Sequence, residues 1–187
     1  MVRRRLAILQ RRRVLLGCEG DSEQSYGALL GRLIELRHRR IHLDTVLLGA
    51  GGPLAMIETA VKRKAERERN RGAYAACAVL LDTDTRQQSL SRTAEGEALA
   101  RKHGLRLVWQ EPCHEALLLR HLPGCAMQRP QTSAQALADL ERAWPDYRKG
   151  FPANALARRI DEAAVLRAAA STPGLQGFLT DIEFGRD

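Results

Sequence analysis

No apolar run in the chain approaches the roughly 20 residues that a membrane-spanning helix requires, which excludes a helical membrane protein. The basic start, Met1-Val2-Arg3-Arg4-Arg5, is followed by only Leu6 to Leu9 before further arginines, so the hydrophobic core of a secretory signal is missing as well. The expectation is a soluble, cytoplasmic protein with no membrane partner. Four cysteines, Cys18, Cys77, Cys113 and Cys125, show no CxxC spacing, which excludes a zinc ribbon and a disulfide framework and suits a reducing compartment. They read as small buried hydrophobes. Aromatic residues make up only 4% of the chain, too few for a binding surface built on base stacking. Acidic residues are outnumbered by basic ones, 22 to 30, and the net charge of +8 points to a polyanionic partner held through backbone phosphates.

What is present alternates. At 187 residues the chain suits a single domain with one substantial core. An apolar run ending at Gly17 leads through the polar turn Cys18-Glu19-Gly20-Asp21-Ser22-Glu23 into a helix over 22–38, with Ser22 as its N-cap and Tyr26, Leu29, Leu30, Leu33 and Leu36 at helical spacing. A second strand, 41–48, stops at Gly49-Ala50-Gly51-Gly52-Pro53 and precedes a helix over 53–70. A third, 74–81, ends at Asp82-Thr83-Asp84-Thr85; a helix over 91–103 and a fourth strand, 105–109, follow. This alternation predicts an α/β fold, a three-layer arrangement in which helices flank a parallel sheet. After Trp109 the pattern turns helical, with helices near 112–122, 133–144 and 155–170. The expected organisation is therefore a βα core over 1–109, a helical completion over 110–170 and a tail over 171–187.

In an open parallel sheet, ligands bind at the carboxyl ends of the strands, and two acidic turns fall there: Glu19 and Glu23 after the first strand, Asp82 and Asp84 after the third. They meet only if those strands are neighbours, which requires the order 2-1-3-4. Grouped carboxylates recruit a divalent cation, Mg²⁺ or Mn²⁺, which prefers oxygen ligands and retains several waters. Such cations stabilise the charge of a phosphodiester transition state, and a pair about 4 Å apart is the arrangement of two-metal nucleases. Asp82 and Asp84 project to the same side if strand geometry persists through Thr83. The plainer alternative is that Asp21, Ser22 and Glu23 only cap the following helix.

These residues carry a resemblance. An apolar strand followed by Glu19-Gly20-Asp21-Ser22-Glu23, and a later apolar strand ending in Asp82-Thr83-Asp84, resemble the Toprim fold and, more narrowly, the RloB-like proteins, relatives of the OLD-family nucleases. Pro112-Cys113-His114-Glu115-Ala116-Leu117 with His121 is similar to a third signature of that family, with His114 in place of an aromatic residue and Leu117 in place of tryptophan. Asp146-Tyr147-Arg148-Lys149-Gly150 resembles a late Tyr-x-Lys segment. The resemblance implies that Glu115 joins Glu19, Glu23, Asp82 and Asp84 around the metal. It also implies that Lys149 lies nearby and offsets charge, and that the protein acts in prokaryotic antiviral defence, with a protein partner from such a system.

Among the basic residues, Arg86, Arg158 and Arg159 are the nearer candidates for phosphate contact, and Arg63 and Arg67 lie four apart on one helix. The expected activity is metal-dependent cleavage of DNA or RNA. Two alternatives stand beside it: a non-catalytic module of the same fold that binds nucleic acid or a protein, and a haloacid-dehalogenase-like phosphatase with Asp82 as nucleophile. The phosphatase fold needs a later strand ending in paired acids.

Overall fold

Short runs of Val, Leu and Ile form four strands: β1 (Arg12–Cys18), β2 (Ile41–Leu47), β3 (Ala76–Asp82) and β4 (Arg106–Gln110). The structure is a computed structural model and describes residues 11–37, 40–84 and 90–185. All pairings are parallel and the sheet order is β2-β1-β3-β4, as the acidic turns require. Parallel strands covered on both faces are apolar throughout rather than alternating, and Val14 to Leu16 in β1 and Ala78 to Leu81 in β3 are accordingly buried.

The helices form the outer layers. On one face, α2 (Pro53–Arg71) and α3 (Leu90–Lys102) enclose a core of Leu15, Val46, Met56, Ile57, Val79, Leu81 and Ala100. On the other, α1 (Asp21–Leu36) packs Tyr26, Leu29, Leu30 and Ile34 against Val14, Leu16, Ala78 and Leu80. Gly27 lets α1 lie close on β2, since a Cβ there would stand 2.6 Å from Thr45 Cγ2. The same core continues into α4 (His114–His121), α5 (Ser133–Ala143), α6 (Ala153–Leu156), α7 (Glu162–Ala169) and α8 (Pro173–Asp181).

Three local features differ from the sequence-based expectation. The first helix is capped by Gly20 rather than Ser22, because Glu23 Oε2 reaches back to accept the Gly20 N–H at 3.2 Å. The helix expected over 155–170 is broken into α6 and α7, and Asp161 starts the second piece by accepting the Ala164 N–H at 2.8 Å. Residues 171–187, expected as a tail, contain α8 and contribute to the core: Leu175, Phe178 and Ile182 are fully buried. Gly174 allows this docking, since a Cβ there would stand 2.5 Å from Leu107 O.

Among the described residues, no helix is long and apolar enough to cross a membrane.

Candidate active site

The central pair β1 and β3 carries the acids. Glu19 is the first residue beyond β1, and Asp82 is the last of β3. A pocket of about 400 Å³ opens at these strand ends, lined by Glu19, Gly20, Asp21, Ser22, Glu23, Asp82, His114, Glu115, Lys149 and Gly150. It lies where the strand order reverses direction, the position at which open α/β sheets bind ligands. Among the described residues, two larger hollows lie elsewhere on the surface, and neither gathers more than one carboxylate.

Each acid is placed by a separate piece of backbone. The N–H groups of Thr83 and Asp84 both donate to Pro112 O, at 3.0 and 3.2 Å, which ties the turn after β3 to the turn before α4. Glu115, in the first turn of α4, thereby reaches the pocket. Lys149 approaches from the loop after α5, with Nζ 3.4 Å from Glu115 Oε1. Asp84 leaves the strand direction at Thr83: its Oδ2 accepts a hydrogen bond from Ser133 Oγ at 2.7 Å, at the start of α5. It does not line the pocket itself, yet its charge raises both Asp82 and Glu19.

The charges act on one another. Burial, followed by the charges of Glu23, Glu19, Asp84 and Glu115, pushes the Asp82 carboxyl up to about 8. Burial, Glu23 and Asp84 also raise Glu19, against the opposing pull of Lys149. Glu115 behaves differently: burial pushes it up, but its own backbone N–H, the Cys113 thiol, Lys149 and His114 outweigh this and hold it below the usual carboxylate range. Glu115 in turn raises Lys149. Among the pocket acids, the fold thus favours the ionised form of Glu115 beside a cation and opposes ionisation of Glu19 and Asp82.

His114 is the site residue that the sequence reasoning passed over. It is 2% exposed and lines the pocket. Its Nδ1 is hydrogen-bonded to Gln110 Nε2 at 2.6 Å and lies 3.9 Å from Glu23 Oε1. Burial holds this imidazole below its usual range. Its position next to Glu115 was the available signal. His121, by contrast, is a core residue, bonded to Tyr26 Oη at 3.0 Å and to Leu117 O at 2.8 Å.

Whether these residues suit a divalent cation is answered by the donor set. Glu19 Oε2 is closed off from solvent and has no hydrogen-bond partner among the described residues, an arrangement that costs free energy unless a positive charge satisfies it. Together with Asp82 it offers hard oxygen donors of the kind that bind Mg²⁺ or Mn²⁺ with retained waters. Among the described residues, no three His, Cys, Asp or Glu side chains already stand as a tight ligand set. The residues fit a cation held by few protein ligands.

The basic residues expected to hold nucleic acid are not gathered here. Arg63 and Arg67 lie on α2 in a different hollow, paired with Glu66 at 3.5 Å and Asp44 at 3.9 Å. Arg158 and Arg159 are exposed on the turn after α6 and do not line the acid pocket. Arg86 falls outside the described residues.

The fold and site define a class: an α/β protein with a four-stranded parallel sheet and an acid-lined pocket at its switch point. Comparison with family models, curated proteins and solved structures gave no match in any of the three.

Proposed function

We propose that the chain is a metal-dependent nuclease that hydrolyses phosphodiester bonds of DNA or RNA with Mg²⁺ or Mn²⁺. The observation that carries this reading is the convergence of Glu19, Glu23, Asp82 and Glu115 from three separate segments into one pocket, at the expense of raising Asp82 to about 8. A fold tolerates mutually repelling buried carboxylates where function uses them. Glu19 and Asp82 are the metal-holding pair, with Glu23, Asp84 and Glu115 around them. A divalent cation supplies charge neutralisation to the phosphoryl oxygens and a nucleophilic water at neutral pH.

The chain's own residues do the rest. Glu115, kept ionised beside Lys149, holds that ammonium at the pocket mouth, where it offsets charge on a bound phosphate. Gly20 and Glu23 fix the start of α1 through their mutual hydrogen bond, which sets the direction of Glu19. The net charge of +8 draws the polyanion to the surface. The resemblance to RloB-like proteins adds a role in antiviral defence. The phosphatase alternative gains no support, because β4 ends in Gln110 rather than a pair of acids and no later strand follows among the described residues.

The test is incubation of the full chain with labelled DNA, bulk RNA and tRNA, with Mn²⁺ or Mg²⁺ and with chelator. Cleavage that needs the metal and disappears in Asp82→Ala is the expected result. Nucleic-acid binding that is indifferent to chelator and to Asp82→Ala, with no cleavage, would instead mark a non-catalytic binding module.

A further inference from the structure

Strand β2 closes one end of the sheet and, among the described residues, pairs only with β1. Leu48 N–H donates to Cys18 O at 2.9 Å, and Arg12 N–H donates to Arg40 O at 2.7 Å. Backbone groups alternate in direction along a strand. The even-numbered residues of β2 therefore bond to β1, while Ile41, Leu43, Thr45 and Leu47 turn their N–H and C=O groups outward. Among the described residues no strand meets them.

The middle of this edge is shaped as a hollow of about 510 Å³. Thr45, Val46 and Leu47 form its floor, and Gln24 from α1 with Arg63, Glu66, Arg67 and Asn70 from α2 form its walls. Natural edge strands are blunted by proline, bulges or inward-pointing charges, since an open edge templates another strand. β2 has no proline, its one buried charge, Asp44, is paired with Arg13 at 2.8 Å, and Leu47 is 43% exposed.

We propose that this edge joins a second copy of the chain, the two β2 strands pairing antiparallel about a two-fold axis at Thr45 to make one continuous eight-stranded sheet. A two-fold interface must be self-complementary, because the same patch meets itself. The patch satisfies that condition at three levels. In the backbone, Thr45 of each protomer becomes a hydrogen-bonded pair with its own equivalent, and Leu43 of each faces Leu47 of the other, so every outward group from 43 to 47 finds a partner. In apolar contact, Leu43 and Leu47 sit on the α1 side of the strand, and their cross-strand pairing covers the exposed leucine. In charge, the same axis lays the two α2 helices side by side in opposite directions. Glu66 of each then faces Arg67 of the other, and Arg63 faces Asn70. Arg63 and Arg67 already lie beside Glu66 and Asp44 of their own chain, at 3.5 and 3.9 Å, so the patch carries both signs and suits its own copy better than an acidic peptide.

This inference does not depend on the chemistry of the acid pocket. Its test is the mass of the full chain in solution, by light scattering on a sizing column and by sedimentation over a range of concentrations. The wild type is expected to be a dimer that dissociates on dilution. Glu66→Arg and Arg67→Glu, each of which sets like charges across the axis, should weaken association by roughly tenfold or more. The combined exchange Glu66→Arg with Arg67→Glu restores opposite charges and should restore the dimer, with circular dichroism unchanged throughout. A wild type that stays monomeric at every concentration overturns the proposal, as does a dimer that both single variants leave intact.

Discussion

Lys149 Nζ stands 3.4 Å from Glu115 Oε1, an ammonium that is 74% exposed meeting a carboxylate that is 7% exposed. One partner is fixed by burial while the other is free to follow a ligand. In the proposed function this ammonium offsets phosphate charge at the pocket mouth. Lys149→Ala should lower the cleavage rate by about ten- to a thousandfold while changing metal affinity only a few fold. Lys149→Arg should recover part of the rate. Steady-state kinetics beside calorimetric Mn²⁺ titration separates the two effects.

If Asp82 ligates the cation as proposed, metal binding depends on pH. With its carboxyl pushed up to about 8, it must lose a proton before it ligates. Affinity for Mn²⁺ should therefore climb as pH rises toward 8 and level off above it, and proton release should accompany binding. The folded state also binds this proton more tightly than the unfolded chain, so without divalent cation stability falls as pH rises from the ordinary carboxylate range through about 8. Asp82→Asn should abolish tight Mn²⁺ binding and reduce the stability slope to the part that Glu19 contributes, as read by calorimetry and by thermal melts.

His121 has the opposite sign. Its Nδ1–H donates to Leu117 O at 2.8 Å, which leaves Nε2 to accept from the Tyr26 hydroxyl at 3.0 Å. Burial pushes this imidazole down to about 4. An unfolded chain takes up the proton near 6.5, so stability present above that pH is lost as pH falls toward 4, by an amount on the order of 3 kcal/mol. Urea denaturation across this range should show the loss, and His121→Gln should flatten it. His114, also held low by burial, contributes a remaining slope of the same sign.

Gly174→Ala tests the docking of α8. The added methyl would meet Leu107 O at 2.5 Å and Val108 Cα at 2.9 Å, both backbone atoms that cannot step aside. Overpacking of this sort costs about 1–3 kcal/mol, and at roughly 2–4 °C per kcal/mol for a chain of this size the Tm should drop measurably. An unchanged Tm would mean that α8 is not held against β4.

The strands and their order were legible because Val14 to Leu16 and Ala78 to Leu81 are unbroken apolar runs and because two acidic turns had to be neighbours to make sense together. The pocket was legible for the same reason: Glu19 and Asp82 are bound to their strand ends by local geometry. What depended on distant packing was not. The Gly-containing stretch around Gly174 and Gly177 looks like loop composition, yet Gly174 is there to let a helix approach the sheet, a demand visible only once β4 lies beneath it. The break between α6 and α7 follows from the Asp161 cap, which the helical periodicity on either side obscures. The hydrogen bond that Asp84 accepts from Ser133, 49 residues away in the chain, is set by the docking of α5. The proximity of His114 to Glu23 likewise joins α4 to α1, a contact that no spacing rule encodes.

The Asp84–Ser133 bond also has a consequence for how the chain can be divided. Together with the Thr83 and Asp84 amides on Pro112 O, it makes the acidic turn of β3 a junction shared by residues from both sides of Trp109. A fragment that stops after β4 would keep every strand and lose Glu115, Lys149 and the groups that set the direction of Asp84. The helical half is thus no ornament on a self-sufficient sheet, and neither half could be exchanged for another without dismantling the pocket.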